Sequence, residues 1–146
     1  MLNNSTAFSR ELLSRSADVE ALADSVHDWA ATCGLSERTR HQLGILLDEL
    51  VANIVRHAYT DHEDSRIEVA IRLEDAMVCV TLRDFGPPFD PTLLAPADTT
   101  PDVDERDFGG LGIHFVRRIA NRFSYRRDGD ANEVTFCLSS IKESIP

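Results

Sequence analysis

Two residues that could do chemistry together, a carboxylate and a carboxamide, lie inside an apolar segment of the sequence. Glu49 and Asn53 are four residues apart, and on an α-helix such residues face the same way, with Cβ atoms about 5 to 6 Å apart. A carboxamide oxygen suits a hard cation such as Mg²⁺, and a carboxylate beside it can accept a proton. The same pair also occurs on the solvent-exposed edge of ordinary helices, so the pattern alone leaves both interpretations open.

A second group of residues follows an alternating apolar stretch that is typical of a strand. Asp84 is followed two residues later by Gly86. The carboxylate could accept a hydrogen bond from an exocyclic amine, and the glycine would let a flat ring approach the backbone. Adenine satisfies both conditions. The alternative is a simple turn, because Asp, Gly and Pro build turns more often than binding sites.

A third group is rich in glycine and comes directly before a predicted helix. Residues 109–112 read Gly-Gly-Leu-Gly, and backbone N–H groups at a helix N-terminus can bind an anion that glycines allow to come close. The group matches neither common phosphate-loop pattern, and a hinge at the base of a loop is the alternative. Arg106 could supply positive charge to a terminal phosphate. His114 we interpret as a helix surface residue.

Periodicity in the sequence predicts the helices and strands on which these three groups lie. Apolar residues at helical spacing predict one helix from about Ser16 to Gly34, a second from an N-cap at Ser36 to about residue 59, and a third after residue 109. Alternating residues predict strands at 7–14, 66–73, 77–83, 122–127 and 133–138. The order predicts an α+β fold, a two-layer sandwich whose antiparallel or mixed sheet carries helices on one face. The predicted buried positions include Val55 and Ala58 in the second helix and Leu111, Phe115, Val116 and Ile119 in the third.

Composition limits the classes of protein that the chain can represent. A length of 146 residues suits a single domain over 1–146, and 42% hydrophobic with 27% charged residues is typical of a soluble globular protein. A net charge of −10 argues against binding to nucleic acid or to an anionic membrane surface. The N-terminus resembles no secretory signal, which predicts a cytoplasmic protein. Between residues 84 and 107 apolar periodicity disappears, which predicts a long loop.

The cysteines show no pattern that is typical of a metal site or of a disulfide framework. Cys33, Cys79 and Cys137 are widely separated and lie among apolar neighbours. We predict three buried thiols and no dedicated zinc site.

Taken in order, the three groups resemble the nucleotide-binding fold shared by gyrase, the Hsp90 chaperones and sensor histidine kinases, known as the GHKL fold. Nearly the whole chain is similar to the small anti-sigma-factor serine/threonine kinases, which consist of this domain alone. The likeness rests on Glu49 to Asn53, Asp84 to Phe89, Glu105-Arg106 ahead of the glycines, and Asn132-Glu133-Val134-Thr135 in the last strand.

The resemblance implies a role for each matching residue. Glu49 would be the general base, Asn53 would hold Mg²⁺ with the nucleotide, and Asp84 would accept the adenine amine. The other nucleotide-binding positions would be Gly86 against the base, Arg106 at the γ-phosphate, Gly110, Leu111 and Gly112 around the phosphates, and Thr135 near the adenine through a water. Residues 91–108 would form the ATP lid.

The function that the resemblance implies is that of a protein-serine kinase and anti-sigma factor. It would use ATP and Mg²⁺ to phosphorylate an antagonist protein of the STAS type, would sequester a sigma factor, and would form a homodimer. The alternative is a nucleotide-gated binding module that transfers no phosphate, and a structural role without nucleotide is a third hypothesis. Glu49 favours the enzyme, because a pure binder needs no base beside a metal ligand. The roles of His57 and His114, and the identity of the partners, stay open.

Overall fold

A computed structural model of the chain describes residues 7–58, 65–93 and 111–139, with only the backbone described at 57, 58 and 111. The helices are α1, α2 and α3, and the strands are β1 to β5. Their bounds are β1 Ala7–Leu13, α1 Ser16–Thr32, α2 Glu37–Asn53, a π-helix Ile54–Ala58, β2 Arg66–Glu74, β3 Met77–Asp84, a 3₁₀ turn Pro91–Leu93, α3 Leu111–Ile119, β4 Arg122–Asp128 and β5 Ala131–Ser139.

The five described strands form one sheet in the order β1-β2-β3-β5-β4, and every pairing between them is antiparallel. One face of the sheet is apolar and buried, because alternate residues along each strand point to the same side. The helices cover that face, and four leucines of α2 meet it with almost no exposed surface, namely Leu43, Leu46, Leu47 and Leu50. The predicted α+β sandwich with helices on one face of an antiparallel sheet is therefore confirmed.

Local signals define the boundary between α1 and α2. Gly34 adopts a positive φ of 76°, a conformation that glycine tolerates at a helix C-terminus. Two residues later the side chain of Ser36 accepts a hydrogen bond from the Thr39 N–H at 3.1 Å and caps α2. Both boundaries agree with the sequence prediction.

The end of the second helix differs from the prediction. Regular α-helical bonding stops at Asn53, and residues Ile54–Ala58 form a π-helix. A π turn is wider than an α turn and rotates the residues that follow it, so Val55, which was predicted to be buried, is 37% exposed. Such turns occur frequently at functional sites. Here the π-helix comes directly after a predicted site residue.

The buried face of α3 also differs from the prediction. Ile113 and Val116 are buried, whereas Phe115, which was predicted to be buried, is 47% exposed. Residue 115 is two positions from residue 113, which is about 200° around a helix with 3.6 residues per turn. The two residues therefore face opposite directions, and the packing against α2 selects Ile113.

The prediction of three buried thiols is wrong. Cys79 and Cys137 lie directly opposite each other on β3 and β5 and form a disulfide, although 58 residues separate them in the sequence. Cys33 is not part of this disulfide and is only partly buried, and burial raises the pKa of its thiol. Spacing along the chain carries no signal for such a pair, because only the register of the strands brings the two residues together.

None of the helices in the described part of the chain is both long enough and apolar enough to cross a membrane.

Candidate functional site

Asn53, the last residue of α2, has a buried side chain with no hydrogen-bond partner among the described residues. It is only 2% exposed, and neither its Oδ1 nor its Nδ2 makes a hydrogen bond to any residue that the structure describes. A buried polar group left without a hydrogen bond costs about 1 to 3 kcal/mol. Such a cost at the beginning of a π-helix indicates a side chain that is kept for a ligand.

Asp84, the last residue of β3, is also 2% exposed, but its carboxylate is held firmly. Its Oδ1 accepts hydrogen bonds from the Gly86 N–H and from Asn132 Nδ2, each at 3.0 Å. Within the described ranges its hydrogen bonds all end on Oδ1, which leaves Oδ2 available. Burial raises the pKa of Asp84, while the bonds from Asn132 and Gly86 and the charge of Arg127 act in the opposite direction.

Asn53 and Asp84 line the same cleft between α2 and the ends of β3 and β5. The cleft is narrow, with a cavity volume of about 10 Å³, and its other walls are apolar, formed by Leu50, Ile54, Phe89, Pro91 and Val134. Apolar walls with a few well-placed polar groups are typical of sites for small molecules. The first and second groups of the sequence analysis are thus brought together.

Glu49, one helical turn before Asn53, contacts the first turn of α3. A Cβ atom built on Gly112 would lie 2.7 Å from Cδ and 3.1 Å from Cγ of Glu49, and closer still to its Oε2. No side chain fits between the two residues. The first and third groups of the sequence analysis therefore also meet, with a carboxylate beside a helix N-terminus.

The loop after Asp84 is tied to β4 and β5 by polar side chains. Asn132 Nδ2 donates to the Pro87 carbonyl at 2.9 Å, and Arg127 Nη1 donates to the Gly86 carbonyl at 2.9 Å. Asn132 belongs to the last-strand motif, but the sequence pattern assigns it no role. The signal that places it is strand pairing, because Asn132 is directly opposite Asp84 in the register of β3 and β5.

Thr135 lies on the other face of the sheet. It is three residues beyond Asn132 on β5, and an odd separation along a strand points a side chain to the opposite side. Its hydroxyl lies 3.3 Å from that of Thr81 on β3, which is likewise three residues from Asp84. The structure does not bring Thr135 to Asp84, and Asn132 occupies the place beside that carboxylate.

The remaining predicted site residues lie wholly or partly outside the described part of the chain. Arg106, Gly110 and lid residues 94–108 lie outside the described residues, and the side chain of Leu111 does too, although its backbone begins α3. The first described part of the predicted lid is the 3₁₀ turn Pro91–Leu93. Arg117 of α3 donates to the Thr92 carbonyl at 2.7 Å and joins that turn to the helix.

A larger groove of about 530 Å³ lies between α1 and α2. Its lining includes Glu20, Asp48, Val55 and Arg56, and it contains none of the predicted site residues. We place the candidate site in the smaller cleft because the unpaired amide of Asn53 and the ordered carboxylate of Asp84 converge there.

Sequence comparison identifies the family of the chain. Residues 12–138 match the family model of the histidine kinase-like ATPase domain. The chain therefore belongs to the histidine kinase-like ATPase domain family, as the resemblance predicted.

Two relatives with serine kinase names indicate the branch of the family. The chain is 30% identical over 109 residues to the serine/threonine-protein kinase BtrW of Bordetella bronchiseptica, which covers 75% of this chain and 77% of that protein. It is 28% identical over 94 residues to the serine-protein kinase RsbW of Listeria monocytogenes, which covers 62% of this chain and 60% of that protein. The predicted enzyme class, a protein serine/threonine kinase, agrees with both names.

A solved structure shows the same fold. The chain resembles the RsbU and RsbW domains of Rv1364c from Mycobacterium tuberculosis with a TM-score of 0.65 at 17% identity, covering 92% of this chain and 32% of that chain. At this identity the likeness establishes the fold alone.

Proposed function

We propose that the chain is a protein-serine kinase that binds ATP in the cleft between α2 and the ends of β3 and β5. The observation that carries the proposal is the convergence in one cleft of the unpaired, buried amide of Asn53 and the ordered carboxylate of Asp84. Glu49 lies one turn from that amide and contacts α3. The kinase names of the relatives support the same reading.

The purine base belongs at the Asp84 end of the cleft. The Oδ2 atom of Asp84 is available to accept a hydrogen bond from the exocyclic amine of adenine, which is a donor. The apolar side chains of Leu50, Ile54 and Val134 line the cleft and offer the base a hydrophobic environment. Gly86 carries no side chain that would limit access from the loop.

The phosphates and a divalent cation belong at the Asn53 end of the cleft. No group of three or more His, Cys, Asp or Glu side chains among the described residues could hold a metal ion, so a cation here would have to share its ligands with an anion such as a nucleotide phosphate. Asn53 fits that requirement, because its Oδ1 is a hard oxygen ligand that bonds to nothing else within the described part of the chain. Bound Mg²⁺ would neutralise charge on the phosphates.

Glu49 is the residue in position to act on the acceptor hydroxyl. As the serine oxygen forms its bond to the γ-phosphorus of ATP, the bond from that phosphorus to the β,γ-bridging oxygen breaks and ADP leaves. The hydroxyl proton passes to the carboxylate of Glu49. The backbone of Gly112, in the first turn of α3, lies beside this carboxylate.

The proposed acceptor is a serine of an anti-sigma-factor antagonist of the STAS type. The same protein would also sequester a sigma factor, and would act in the cytoplasm as a homodimer. The similarity to kinases named RsbW supports these partners.

The test is transfer of the γ-phosphate from Mg-ATP to an antagonist-type protein encoded beside this one. We expect phosphoserine with the intact chain. Turnover should fall by about 10² to 10⁴ with Glu49→Ala, because a positioned proton acceptor contributes about that much, while ADP affinity stays within a few-fold. Glu74→Ala is the control, since Glu74 is half-exposed and lies at the opposite end of the sheet from Asp84.

The outcomes separate the hypotheses. ATP binding without transfer to any neighbouring antagonist would favour the nucleotide-gated binding module. Absence of ATP binding would remove both hypotheses, and equal loss of binding and turnover in Glu49→Ala would remove Glu49 as the base.

A further inference from the structure

Asn132 is buried, and all of its hydrogen-bonding capacity is used. It is 1% exposed. Its Oδ1 accepts hydrogen bonds from the Tyr125 hydroxyl at 2.6 Å, from the Phe89 N–H at 3.1 Å and from Arg127 Nη1 at 3.2 Å. Its Nδ2 donates to Asp84 Oδ1 at 3.0 Å and to the Pro87 carbonyl at 2.9 Å.

These partners allow only one orientation of the amide. The Phe89 N–H and the Arg127 guanidinium can only donate, so the atom that faces them must be the oxygen. The Pro87 carbonyl can only accept, so the atom that faces it must be the nitrogen. A flipped amide would lose all of these bonds and leave buried polar groups unpaired. Asn132 therefore always presents an N–H group to Asp84.

The N–H group that Asn132 presents affects the protonation state of Asp84. Two groups that can only donate, Asn132 Nδ2 and the Gly86 N–H, both point at Oδ1, and donors stabilise the ionised carboxylate. Burial acts in the opposite direction and raises the pKa of Asp84. Without the Asn132 amide, fewer hydrogen bonds would counter the effect of burial on the pKa of Asp84. The carboxyl group would then hold a proton more readily.

The protonation state of Asp84 decides which purine its carboxyl group can hydrogen-bond. An ionised carboxylate is an acceptor only, and its free Oδ2 pairs with the amino group at position 6 of adenine. The oxo group at position 6 of guanine is itself an acceptor and would be repelled. A protonated carboxyl could donate to that oxo group.

We propose that Asn132 is a specificity-determining positioning residue, which keeps Asp84 as a hydrogen-bond acceptor and so makes the cleft prefer a 6-aminopurine nucleotide over a 6-oxopurine nucleotide. This inference rests on the proposed nucleotide binding in the cleft. It assigns a role to a residue that does not itself need to contact the nucleotide.

The most selective variant is Asn132→Asp. It keeps an oxygen for the Tyr125 hydroxyl, the Phe89 N–H and Arg127, and it replaces Nδ2, the donor to both Asp84 and the Pro87 carbonyl. A second carboxylate at this distance disfavours the ionised form of Asp84, and a proton carried on its Oδ2 can be donated to a 6-oxo group. Tyr125→Phe is the matched control, because it removes a hydrogen bond to the same amide and leaves the donation to Asp84 in place.

The experiment measures the dissociation constants of ADP and GDP by direct titration with Mg²⁺ present, at several pH values between 5.5 and 8.5. We expect the intact chain to prefer ADP. The preference should fall by about tenfold or more in Asn132→Asp, the scale of one hydrogen bond to a charged group, and it should become dependent on pH. In Tyr125→Phe the preference should stay within about threefold of the original value. Asn132→Ala, which also removes the donor, takes the place of Asn132→Asp if circular dichroism shows that the latter is unfolded.

Each other outcome overturns the proposal. An unchanged preference in the Asn132 variant would remove the role of Asn132, and an equal loss in Tyr125→Phe would show that the donor to Asp84 is not what matters. Equal affinity of the intact chain for ADP and GDP would overturn this inference and leave nucleotide binding intact. Absence of binding to either nucleotide would overturn the proposed function, and the inference with it.

Discussion

The backbone of Gly112 lies against the carboxyl group of Glu49, so that a Cβ atom on the glycine would be only 2.7 Å from Cδ of the glutamate. The contact joins α2 to the first turn of α3. It also joins two groups that are more than 60 residues apart in the sequence. The position of the proposed base therefore depends on the absence of a side chain on another helix.

Gly112→Ala should reduce turnover with little loss of stability. The added methyl group would overlap the end of the Glu49 side chain, which is flexible and can rotate away at a cost of about 1 kcal/mol. Glu49 would then leave its position, and we expect phosphate transfer to fall by more than tenfold. Turnover and thermal unfolding of the same preparation measure the two effects. A large drop in melting temperature with normal turnover per folded molecule would contradict this expectation.

Gly44→Ala provides the matched glycine variant. Gly44 lies within α2, and a Cβ atom there would meet no other atom within 4 Å. Replacing an unconstrained helical glycine with alanine typically stabilises a protein by about 0.5 to 1 kcal/mol. We expect a higher melting temperature and unchanged turnover. Lower turnover in Gly44→Ala would mean that turnover is sensitive to any substitution in or near α2. The loss in Gly112→Ala would then not be specific to its contact with Glu49.

Asn53→Leu should separate stability from function. The substitution removes two buried polar atoms that have no described partner, and the free energy of unfolding without nucleotide should stay the same or rise by about 1 kcal/mol. The metal ligand would be lost, so Mg-ADP should no longer raise the melting temperature. Thermal unfolding without nucleotide measures the stability, and the change in melting temperature on adding Mg-ADP measures nucleotide binding. A destabilised variant that still responds to Mg-ADP would exclude Asn53 from the cation site.

Nucleotide affinity should fall on acidification before an ordinary aspartate would titrate. Burial raises the pKa of Asp84 above its usual 3.8, and protonation removes the negative charge that strengthens its bond to the adenine amine. Titration of ADP binding between pH 7 and pH 4 should show that the affinity begins to fall at a pH above the range in which an ordinary aspartate titrates. Asp84→Asn should bind weakly and show no such step. A flat affinity in the intact chain would contradict the role of Asp84.

The stability of the free protein should respond to Asp84 with the opposite sign. A carboxyl whose folded-state pKa is raised binds more protons folded than unfolded between the two pKa values. Its penalty is therefore present at neutral pH and is relieved on acidification. Compared with Asp84→Asn, the intact chain should gain relative stability as the pH falls through that window. Relative loss of stability on acidification would indicate that the pKa is lowered.

Thr135→Val should leave nucleotide affinity within about twofold, because its hydroxyl pairs with Thr81 on the face of the sheet opposite Asp84. The cost should appear instead in stability, as the loss of one partly exposed hydrogen bond worth about 0.5 to 1.5 kcal/mol. ADP titration and thermal unfolding test both expectations. A tenfold loss of affinity would restore the role that the sequence pattern implied for Thr135.

Local patterns in the sequence predicted most of the secondary structure. The cap at Ser36, the glycine at the end of α1 and the alternation along β2 and β3 are interactions between residues close in the chain, so they are visible without a fold. The helix spacing of Glu49 and Asn53 is local in the same sense. The exposed positions of Val55 and Phe115 were not predictable in this way, because a π turn and the packing of α3 against α2 decide them.

The class of the fold and the residue types of the site follow from local patterns, since periodicity, capping and spacing operate over one or two helical turns. Which of those residues meet depends on how the strands pair and how the helices pack. The pairing of β3 with β5 places Asn132 beside Asp84, turns Thr135 to the other face and joins Cys79 to Cys137. A shift of one residue in that register would reverse each of these placements, because side chains alternate between the two faces of a strand.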